Sequence, residues 1–321
     1  MKIKVKLTYP YQWPDIKQQL PSKLEWGNCE FYINDEIDEC DVWVVFNHLN
    51  ALEESAVCNR SNTLLIAPEP HPVNMYYSKF IHQFKHIQTC QKEIVHPNKH
   101  LVSPSVPWWL DKTYTELAEL TPPLKTKKIS LITSNKLISD GHKKRYEFAH
   151  RLKEKMGDDL DLFGRGIQTF DHKWDVLINY QYNICIENGR HYNYFTEKLY
   201  DCLLTYTFPF YNGCTNIEDH FARDSMEIID INNFDKTLSQ IESVLNQNHH
   251  YDEHIPALVE ARKLILNKYN IFSVINDFVH TNLNETINAK KEKIVLKNQF
   301  RDPSSVAEKA FYLLKKKLKG V

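Results

Sequence analysis

The segment ENGRHYNYFTEKLYD lies between an apolar stretch and a leucine-rich one. It contains three consecutive residues that could do chemistry: Thr196, Glu197 and Lys198. YNICI, just before it, is predicted to be a buried strand with Glu187 and Asn188 at its carboxyl end. Thr196 is a residue type that caps helices, so Glu197 and Lys198 would occupy the first turn of EKLYDCLLTY. The helix dipole and Lys198 suit a diphosphate, and Glu197 suits sugar or ribose hydroxyls. Ordinary helix-start chemistry explains the same residues without a ligand.

Two further turns at strand ends carry polar side chains. Ser134 and Asn135 end the strand in KISLITSN, and DGHKKRYEFAHRLKEKM is predicted to be the next helix. Arg145 comes early in that helix, where its guanidinium can hold two phosphate oxygens. Glu69 ends the strand in NTLLIAPEP, between two prolines, where a carboxylate can act as a general base. The alternatives are a solvated basic helix start and a carboxylate that only caps its turn.

The elements around these turns indicate an α/β protein with two domains. The chain has 321 residues, more than one core usually supports. Predicted strands and helices alternate twice, on either side of a proline-rich stretch around residues 104–128. We therefore predict two Rossmann-like domains facing a cleft, at residues 1–118 and 119–285, followed by a basic, helical C-terminal tail at 286–321.

Composition excludes several classes of site. The chain has eight glycines and lacks both GxGxxG and GxxxxGK[ST], so side chains and a helix N-terminus must hold any phosphate. Seven scattered cysteines without a CxxC pair indicate reduced thiols in a cytoplasm and make zinc improbable. DLD at 159–161 resembles a metal-binding DxD motif, but we expect it to start a strand with Leu160 and Leu162 facing inward.

Charge and hydropathy limit the partners. The formal net charge of −1 gives no general attraction to nucleic acid. The N-terminus is predicted to be a strand rather than a signal peptide, and no apolar run is long enough to span a bilayer. We expect a cytoplasmic protein that is soluble or at most lies on a membrane surface.

The tail is electrostatically distinct from the rest of the chain. Ala289–Val321 contains ten Lys and Arg against three Asp and Glu. Ser305 and Glu308 have capping-box spacing, and residues 304–319 are predicted to form a basic amphipathic helix. Such a helix can pack on the body of the protein, contact anionic lipid at the inner face of the membrane, or do both. Its predicted apolar face consists of Val306, Ala310, Leu314 and Leu318.

YNICIENGRHYNYFTEKLYDCLLTYTFPFYNG resembles the donor-binding signature of glycosyltransferase family 10, the alpha-1,3/1,4-fucosyltransferases. That signature is an apolar strand with Phe-Glu-Asn, an aromatic loop, Thr-Glu-Lys, a helix with Asp, and Pro-Ile-Tyr-x-Gly. The upstream TSNK, KKRYEFAHRL and DLFGRG are similar to the family's Ser-Asn, Arg-x-x-Phe/Tyr and Tyr-Gly-Lys pattern, and EPHPVN more loosely to its Glu-Ser-Pro-Asn turn. The likeness is strong from about residue 129 to about residue 221.

The resemblance implies a GT-B fold and inverting, metal-independent transfer of L-fucose from GDP-fucose to a hydroxyl of an oligosaccharide or lipid-linked glycan. It implies an N-terminal acceptor domain and a C-terminal donor domain, with no cofactor. Glu69 would be the general base, and Glu197 would take part in catalysis. The donor would be bound by Arg145 and Lys198 at the diphosphate and by Ser134, Asn135, Asn188, Tyr194 and Glu197 around it.

Departures from the family pattern keep alternatives open. Glu69 lies in Glu-Pro-His-Pro, where the family has Glu-Ser-Pro, so the assignment of the base rests on the weakest part of the likeness. The motif indicates that a nucleotide diphosphate is bound more clearly than it indicates which sugar the donor carries. A GT-B transferase for another nucleotide sugar and a nucleotide- or glycan-binding protein that has lost catalysis are therefore retained as hypotheses.

Overall fold

A computed structural model describes residues 2–21, 23–71, 73–135, 140–283 and 292–297, together with the single positions 307, 310, 311 and 314. The chain divides into two compact units. The N-terminal unit comprises Met1–Val106 and Asn270–Val321, and the C-terminal unit comprises Pro107–Tyr269.

Strands and helices alternate through most of the described chain. The strands are β1 (Ile3–Thr8), β2 (Glu25–Trp26), β3 (Cys29–Ile33), β4 (Val42–Phe46), β5 (Glu53–Cys58), β6 (Thr63–Ala67), β7 (His86–Thr89), β8 (Lys99–Leu101), β9 (Lys127–Ser134), β10 (Asp161–Arg165), β11 (Tyr180–Ile186), β12 (Phe208–Asn212), β13 (Glu227–Ile228) and β14 (Glu292–Lys297). The α-helices are α1 (Ser78–Ile81), α2 (Tyr114–Glu119), α3 (Asp140–Met156), α4 (Lys173–Leu177), α5 (Glu197–Leu204), α6 (Phe234–Leu245), α7 (His250–Asn267) and α8 (Ile271–Asn282). Short 3-10 helices are formed by Ile16–Gln19, Arg60–Asn62, Gly157–Asp159, Ile217–Asp219 and Arg223–Ser225.

The N-terminal unit is built on a seven-stranded sheet with the order β2-β3-β1-β4-β6-β7-β8. All neighbouring strands are parallel except β2, which is antiparallel to β3. Helix α8 covers one face with Phe272 and Ile275, and the other face packs against Phe80 and Leu296. Burial of both faces explains the continuous apolar sequence of β4, VWVVF.

The C-terminal unit is built on an all-parallel sheet with the order β10-β9-β11-β12-β13. The order reverses between β9 and β11, because the strand that follows β9 in the chain pairs on one side of it and the next strand on the other. In open α/β sheets such a reversal leaves a crevice at the carboxyl ends of the two strands, where ligands bind. This is the switch point of the C-terminal unit.

The predicted α/β class with two Rossmann-like units is confirmed by these sheets. Helix α3 has the bounds of the predicted segment DGHKKRYEFAHRLKEKM. Helices α7 and α8 are separated at Asn270, whose backbone is extended and whose side chain accepts from Phe272 N.

The division into units differs from the predicted boundaries after residues 118 and 285. The segment after Pro107 lies in the C-terminal unit, where Trp109 N donates to Asp201 Oδ1 at 2.8 Å. Helix α8 lies in the N-terminal unit, where the Phe272 ring contacts Phe31 with centroids 4.8 Å apart. Both differences arise from contacts between residues distant in sequence.

The predicted tail is not wholly helical. Glu292–Lys297 forms β14, which pairs antiparallel with β5 and places Leu296 in the core. The predicted capping box lies outside the described residues, whereas positions 307, 310, 311 and 314 are helical, with Phe311 and Leu314 exposed. No helix in the described part of the chain combines the length and apolar character needed to cross a bilayer.

Candidate functional site

Arg145 joins the ends of the two strands at the switch point of the C-terminal unit. Its Nη1 donates to Asn188 Oδ1 at 2.6 Å, just beyond β11. Its Nη2 donates to Ser134 Oγ at 3.1 Å, at the end of β9. The structure thus brings together three of the predicted site residues, and it places them where an α/β sheet binds ligands.

The position of Arg145 depends on a close approach between α3 and the loop after β11. A Cβ at Gly141, in the first turn of α3, would lie 2.0 Å from Asn188 O. Any side chain there would force the helix away from the loop. Glycine at position 141 therefore allows the helix to bring Arg145 to the strand ends.

The Arg145 side chain is buried, with 5% of the residue exposed. Burial lowers the pKa of Arg145, whereas the carboxylates of Glu187 and Glu197 raise it, and the guanidinium remains a cation at neutral pH. Its Nε is buried and donates to none of the described residues. One charged donor therefore remains available at the switch point, where a buried donor normally has a partner.

Thr196 and Glu187 tie the end of β11 to the start of α5. Thr196 is the N-cap, as predicted, and its Oγ1 accepts from Lys198 N. Glu187 accepts from Thr196 N and Oγ1, each at 2.8 Å. A Cβ at Gly213 would lie 2.5 Å from Glu187 Cγ, so the glycine of the Pro-x-Tyr-x-Gly motif leaves room for this carboxylate.

Lys198 is held between two carboxylates. Its Nζ lies 3.0 Å from Glu197 Oε1 and 3.3 Å from Glu187 Oε2. Burial alone would lower the pKa of Lys198, but Glu197 and Glu187 raise it above its usual value. The pKa of Glu187 is raised, chiefly by burial. Glu197 and Lys198 lie together in the first helical turn, as predicted, but they pair with each other.

Glu197 has a pKa that excludes proton exchange at neutral pH. Burial would raise this pKa, but the cations of Lys198 and Lys173 lower it to about 2. A general acid or base works best when its pKa is near the operating pH. Any catalytic role of Glu197 is therefore electrostatic: its fixed negative charge holds Lys198 in place.

A second buried pair extends this network and was missed in the sequence. Lys173 Nζ on α4 lies 2.8 Å from Asp201 Oδ2 on α5, and the ammonium lies 5.3 Å from the centre of the Trp109 ring. Burial raises the pKa of Asp201 to about 6, although Lys173 opposes this. Asp201 among the apolar residues of LYDCLL indicates a buried partner, but no local pattern points to Lys173.

The buried charges of the site balance. Arg145, Lys173 and Lys198 face Glu187, Glu197 and Asp201, so this set supplies no net positive charge. Additional cations lie at the same edge of the sheet. Arg165 is the exposed last residue of β10, and Arg190, in the loop after β11, is half exposed and 3.6 Å from Asp230.

Three predicted site residues remain, and they are Tyr194, Asn135 and Glu69. Tyr194 is buried, and its ring centroid lies 5.8 Å from that of His191. Asn135 is exposed, and its Nδ2 lies 3.1 Å from where a Cβ of Gly166 would be. Glu69 belongs to the N-terminal unit, where it follows β6.

The DLD sequence leads into β10, in agreement with the prediction of a strand entry there. Strand β10 begins at Asp161, and Leu160 and Leu162 are buried. Among the described residues, no group of three or more His, Cys, Asp and Glu side chains can hold a metal ion.

Comparisons with known proteins identify the segment that carries this site. Residues 122–256 match the family described as "Glycosyltransferase family 10 (fucosyltransferase) C-term". Over 71 residues, 22% of this chain, the sequence is 34% identical to "Alpha-(1,3)-fucosyltransferase FucT" of Helicobacter pylori. The match spans 15% of that relative's length.

Two solved structures show partial similarity. An alpha1,3-fucosyltransferase with GDP-fucose matches 91% of this chain and 93% of its own, with 16% identity and a TM-score of 0.48. An alpha1,3-fucosyltransferase with GDP matches 84% of this chain and 92% of its own, with 16% identity and a TM-score of 0.49.

The charge of Glu197 should be visible in the pH dependence of stability. Its folded-state pKa lies below the usual 4.5, so its contribution is fully present above about pH 4.5 and is lost as the pH falls toward about 2. We expect Glu197→Gln to lower the free energy of unfolding at neutral pH by about 2–3 kcal/mol. Urea titrations of both proteins should show this difference shrinking as the pH is lowered through that window.

Glu242→Gln, at an exposed position on α6, is the matched control and should show no such pH-dependent difference. A loss in Glu197→Gln that stays constant down to about pH 3 would contradict a buried carboxylate held by cations.

Proposed function

We propose, on the premise that residues 122–256 are a C-terminal domain of glycosyltransferase family 10, that this protein transfers L-fucose from GDP-fucose to a glycan hydroxyl. The supporting observation is the buried Arg145 guanidinium, which is fixed by Ser134 and Asn188 and has a donor that no described residue uses. A diphosphate oxygen is a suitable acceptor for that donor.

The chemistry of the proposed reaction explains why fixed cations would be needed at the site. As the bond from the anomeric carbon to the diphosphate breaks, negative charge grows on the leaving GDP. Fixed positive groups stabilise such charge without having to reorganise, and Arg145, Lys198 and the N-terminus of α5 supply them. The network of Glu187 and Glu197 holds Lys198 in place before the ligand arrives. We therefore propose that transfer needs no divalent metal.

The acceptor half of the proposal rests on Glu69. Its carboxylate would remove the proton from the acceptor hydroxyl while that oxygen attacks the anomeric carbon from the face opposite the GDP, which inverts the configuration. Glu69 follows β6 of the N-terminal unit, and its charge contributes to the raised pKa values of Tyr11 and Tyr76 after burial.

Nucleotide binding tests the donor class. We expect GDP and GDP-fucose, but not UDP or CMP sugars, to raise the melting temperature, and GDP-mannose to act no better than GDP. A ligand at a hundredfold excess over its dissociation constant stabilises by about 2.7 kcal/mol, which a thermal scan detects. The shift should be the same with EDTA. A shift with UDP or CMP sugars instead would favour a transferase for another sugar, and no shift with any nucleotide would favour a protein that has lost this activity.

The same thermal scan tests whether Arg145 and Lys198 bind the diphosphate. Arg145→Lys and Lys198→Met should weaken GDP binding by about 10- to 100-fold, because each removes a charge-assisted hydrogen bond. Lys155→Met, at an exposed position on α3, is the matched control and should bind GDP normally. Normal GDP affinity in both site variants would refute the placement of the diphosphate.

Substitution of the base separates catalysis from binding. Glu69→Gln should bind GDP-fucose with nearly unchanged affinity and lose about 100-fold or more in kcat, since a general base contributes a factor of that order. Initial rates and isothermal titration would measure the two effects. Glu93→Gln, at an exposed position of the same unit, is the control and should retain its rate. Full activity of Glu69→Gln would remove Glu69 as the base and leave the donor site as described.

We also propose that the tail brings the protein to the inner face of a cytoplasmic membrane, where a lipid-linked glycan would be in reach. Its lysines are attracted to anionic lipid by about 1 kcal/mol each. We expect sedimentation with anionic vesicles that weakens with added salt, and no sedimentation with neutral vesicles.

A tail variant tests whether the basic charge is responsible, with a lysine on α3 as the control. Replacing Lys315, Lys316 and Lys317 by Gln should abolish this binding, whereas Lys153→Gln on α3 should not. Equal binding of the triple variant would show that the basic charge is not responsible.

A further inference from the structure

The turn that carries Glu69 is poor in backbone donors. Prolines at positions 68, 70 and 72 have no N–H group to donate. Val73 N and Asn74 N both donate to Pro70 O, at 2.8 and 3.0 Å, so they are already used. The carbonyl groups of Glu69 and Asn74 both accept from a side chain outside the turn.

Gln91 supplies a donor to both carbonyl groups. It follows β7, 2% of the residue is exposed, and its Nε2 donates to Glu69 O at 2.6 Å and to Asn74 O at 3.0 Å. Because both partners are carbonyl oxygens, the amide must present its NH₂ group to the turn. A single side chain thereby fixes the beginning and the end of the segment that carries the base.

Gln91 is itself held rigidly against β6. Its backbone N–H donates to Thr89 Oγ1 at 3.1 Å, and Thr89 Oγ1 donates to Ala67 O, also at 3.1 Å. Ala67 and Thr89 are partners in the parallel register of β6 and β7. The position of Gln91 is thus fixed relative to β6, the strand that the Glu69 turn follows.

The far side of the turn is anchored at the point where the strand order of the N-terminal unit reverses, between β1 and β4. Asn74 Nδ2 donates to Asn47 Oδ1 at 3.0 Å, and Tyr76 Oη donates to the same oxygen at 2.7 Å. Asn47 directly follows β4, and its Nδ2 donates to Tyr11 Oη. The turn therefore has side-chain anchors on both sides.

We propose that Gln91 is a positioning residue for the general base: it fixes the Glu69 turn and thereby the direction in which the carboxylate meets the acceptor hydroxyl. This inference rests on the proposed function only in taking Glu69 as the base. Gln91 acts through the backbone and does not touch the substrate. A displacement of about 1 Å at a catalytic group is enough to reduce a rate by about 100-fold.

Gln91→Leu tests the catalytic consequence. We expect kcat for fucosyl transfer to fall about 10- to 100-fold, while the KM for GDP-fucose stays within about twofold, because the donor site is not altered. Gln88→Leu is the matched control, since Gln88 lies on β7 and its Oε1 has no hydrogen-bond partner among the described residues. An unchanged kcat in Gln91→Leu would overturn the proposal.

Gln91→Glu adds a pH signature that a merely structural role would not give. The ionised carboxylate would face two carbonyl oxygens and repel them, whereas the protonated acid can donate one hydrogen bond. The activity of Gln91→Glu relative to wild type should therefore rise as the pH is lowered. A ratio independent of pH would contradict the contact between this side chain and the turn.

Amide hydrogen exchange tests the positioning without any enzyme assay. The Val73 and Asn74 amides should exchange at least about tenfold faster in Gln91→Leu than in wild type or in Gln88→Leu, because loss of the clamp loosens the bonds to Pro70 O. Unchanged exchange would refute the clamp. If wild type binds no GDP-fucose but exchange still accelerates, the clamp stands and only the proposed function fails.

Discussion

The C-terminal unit depends on the pairing of charges that its own fold removes from water. Burial of an isolated charge is costly, and a buried pair is tolerated only when its remaining hydrogen-bonding groups are also satisfied. Glu187 meets this requirement through Thr196 and Lys198, and Asp201 through Lys173 and the backbone of Trp109. These pairs tie β11, α4 and α5 to one another, so the site cannot be loosened without leaving a charge unpaired.

The structural features that could be predicted from the sequence are those determined by residues adjacent in the chain. The Thr196 cap, the bounds of α3 and the strand at DLD need only a few adjacent positions, and each was predicted. The partner of Asp201 could not be predicted, because Lys173 lies 28 residues earlier and only the packing of α4 on α5 brings it near. Similarly, the pairing of β14 with β5 could not be predicted, because the two strands are more than 200 residues apart in the chain.

The two units present different chemistry at the carboxyl ends of their central strands. In the C-terminal unit these ends carry paired ionic groups around Arg145. In the N-terminal unit they carry amides and phenols, with Asn47 at the centre of a hydrogen-bonded group that includes Asn74 and Tyr76. Fixed ionic groups suit a charged diphosphate, whereas neutral donors and acceptors suit hydroxyl groups without demanding a compensating charge.

This difference in surroundings also separates the roles of two carboxylates that the sequence alone could not rank. Glu197 lies beside Lys198 and Lys173, which hold its pKa at about 2, so it cannot take up a proton at neutral pH. The Glu69 turn is held by the amides of Gln91 and Asn47, and these contacts fix its geometry. An enzyme obtains different functions from like groups by giving them different environments. The Glu197 carboxylate is therefore a fixed anion, whereas the role proposed for Glu69 depends on the geometry of its turn.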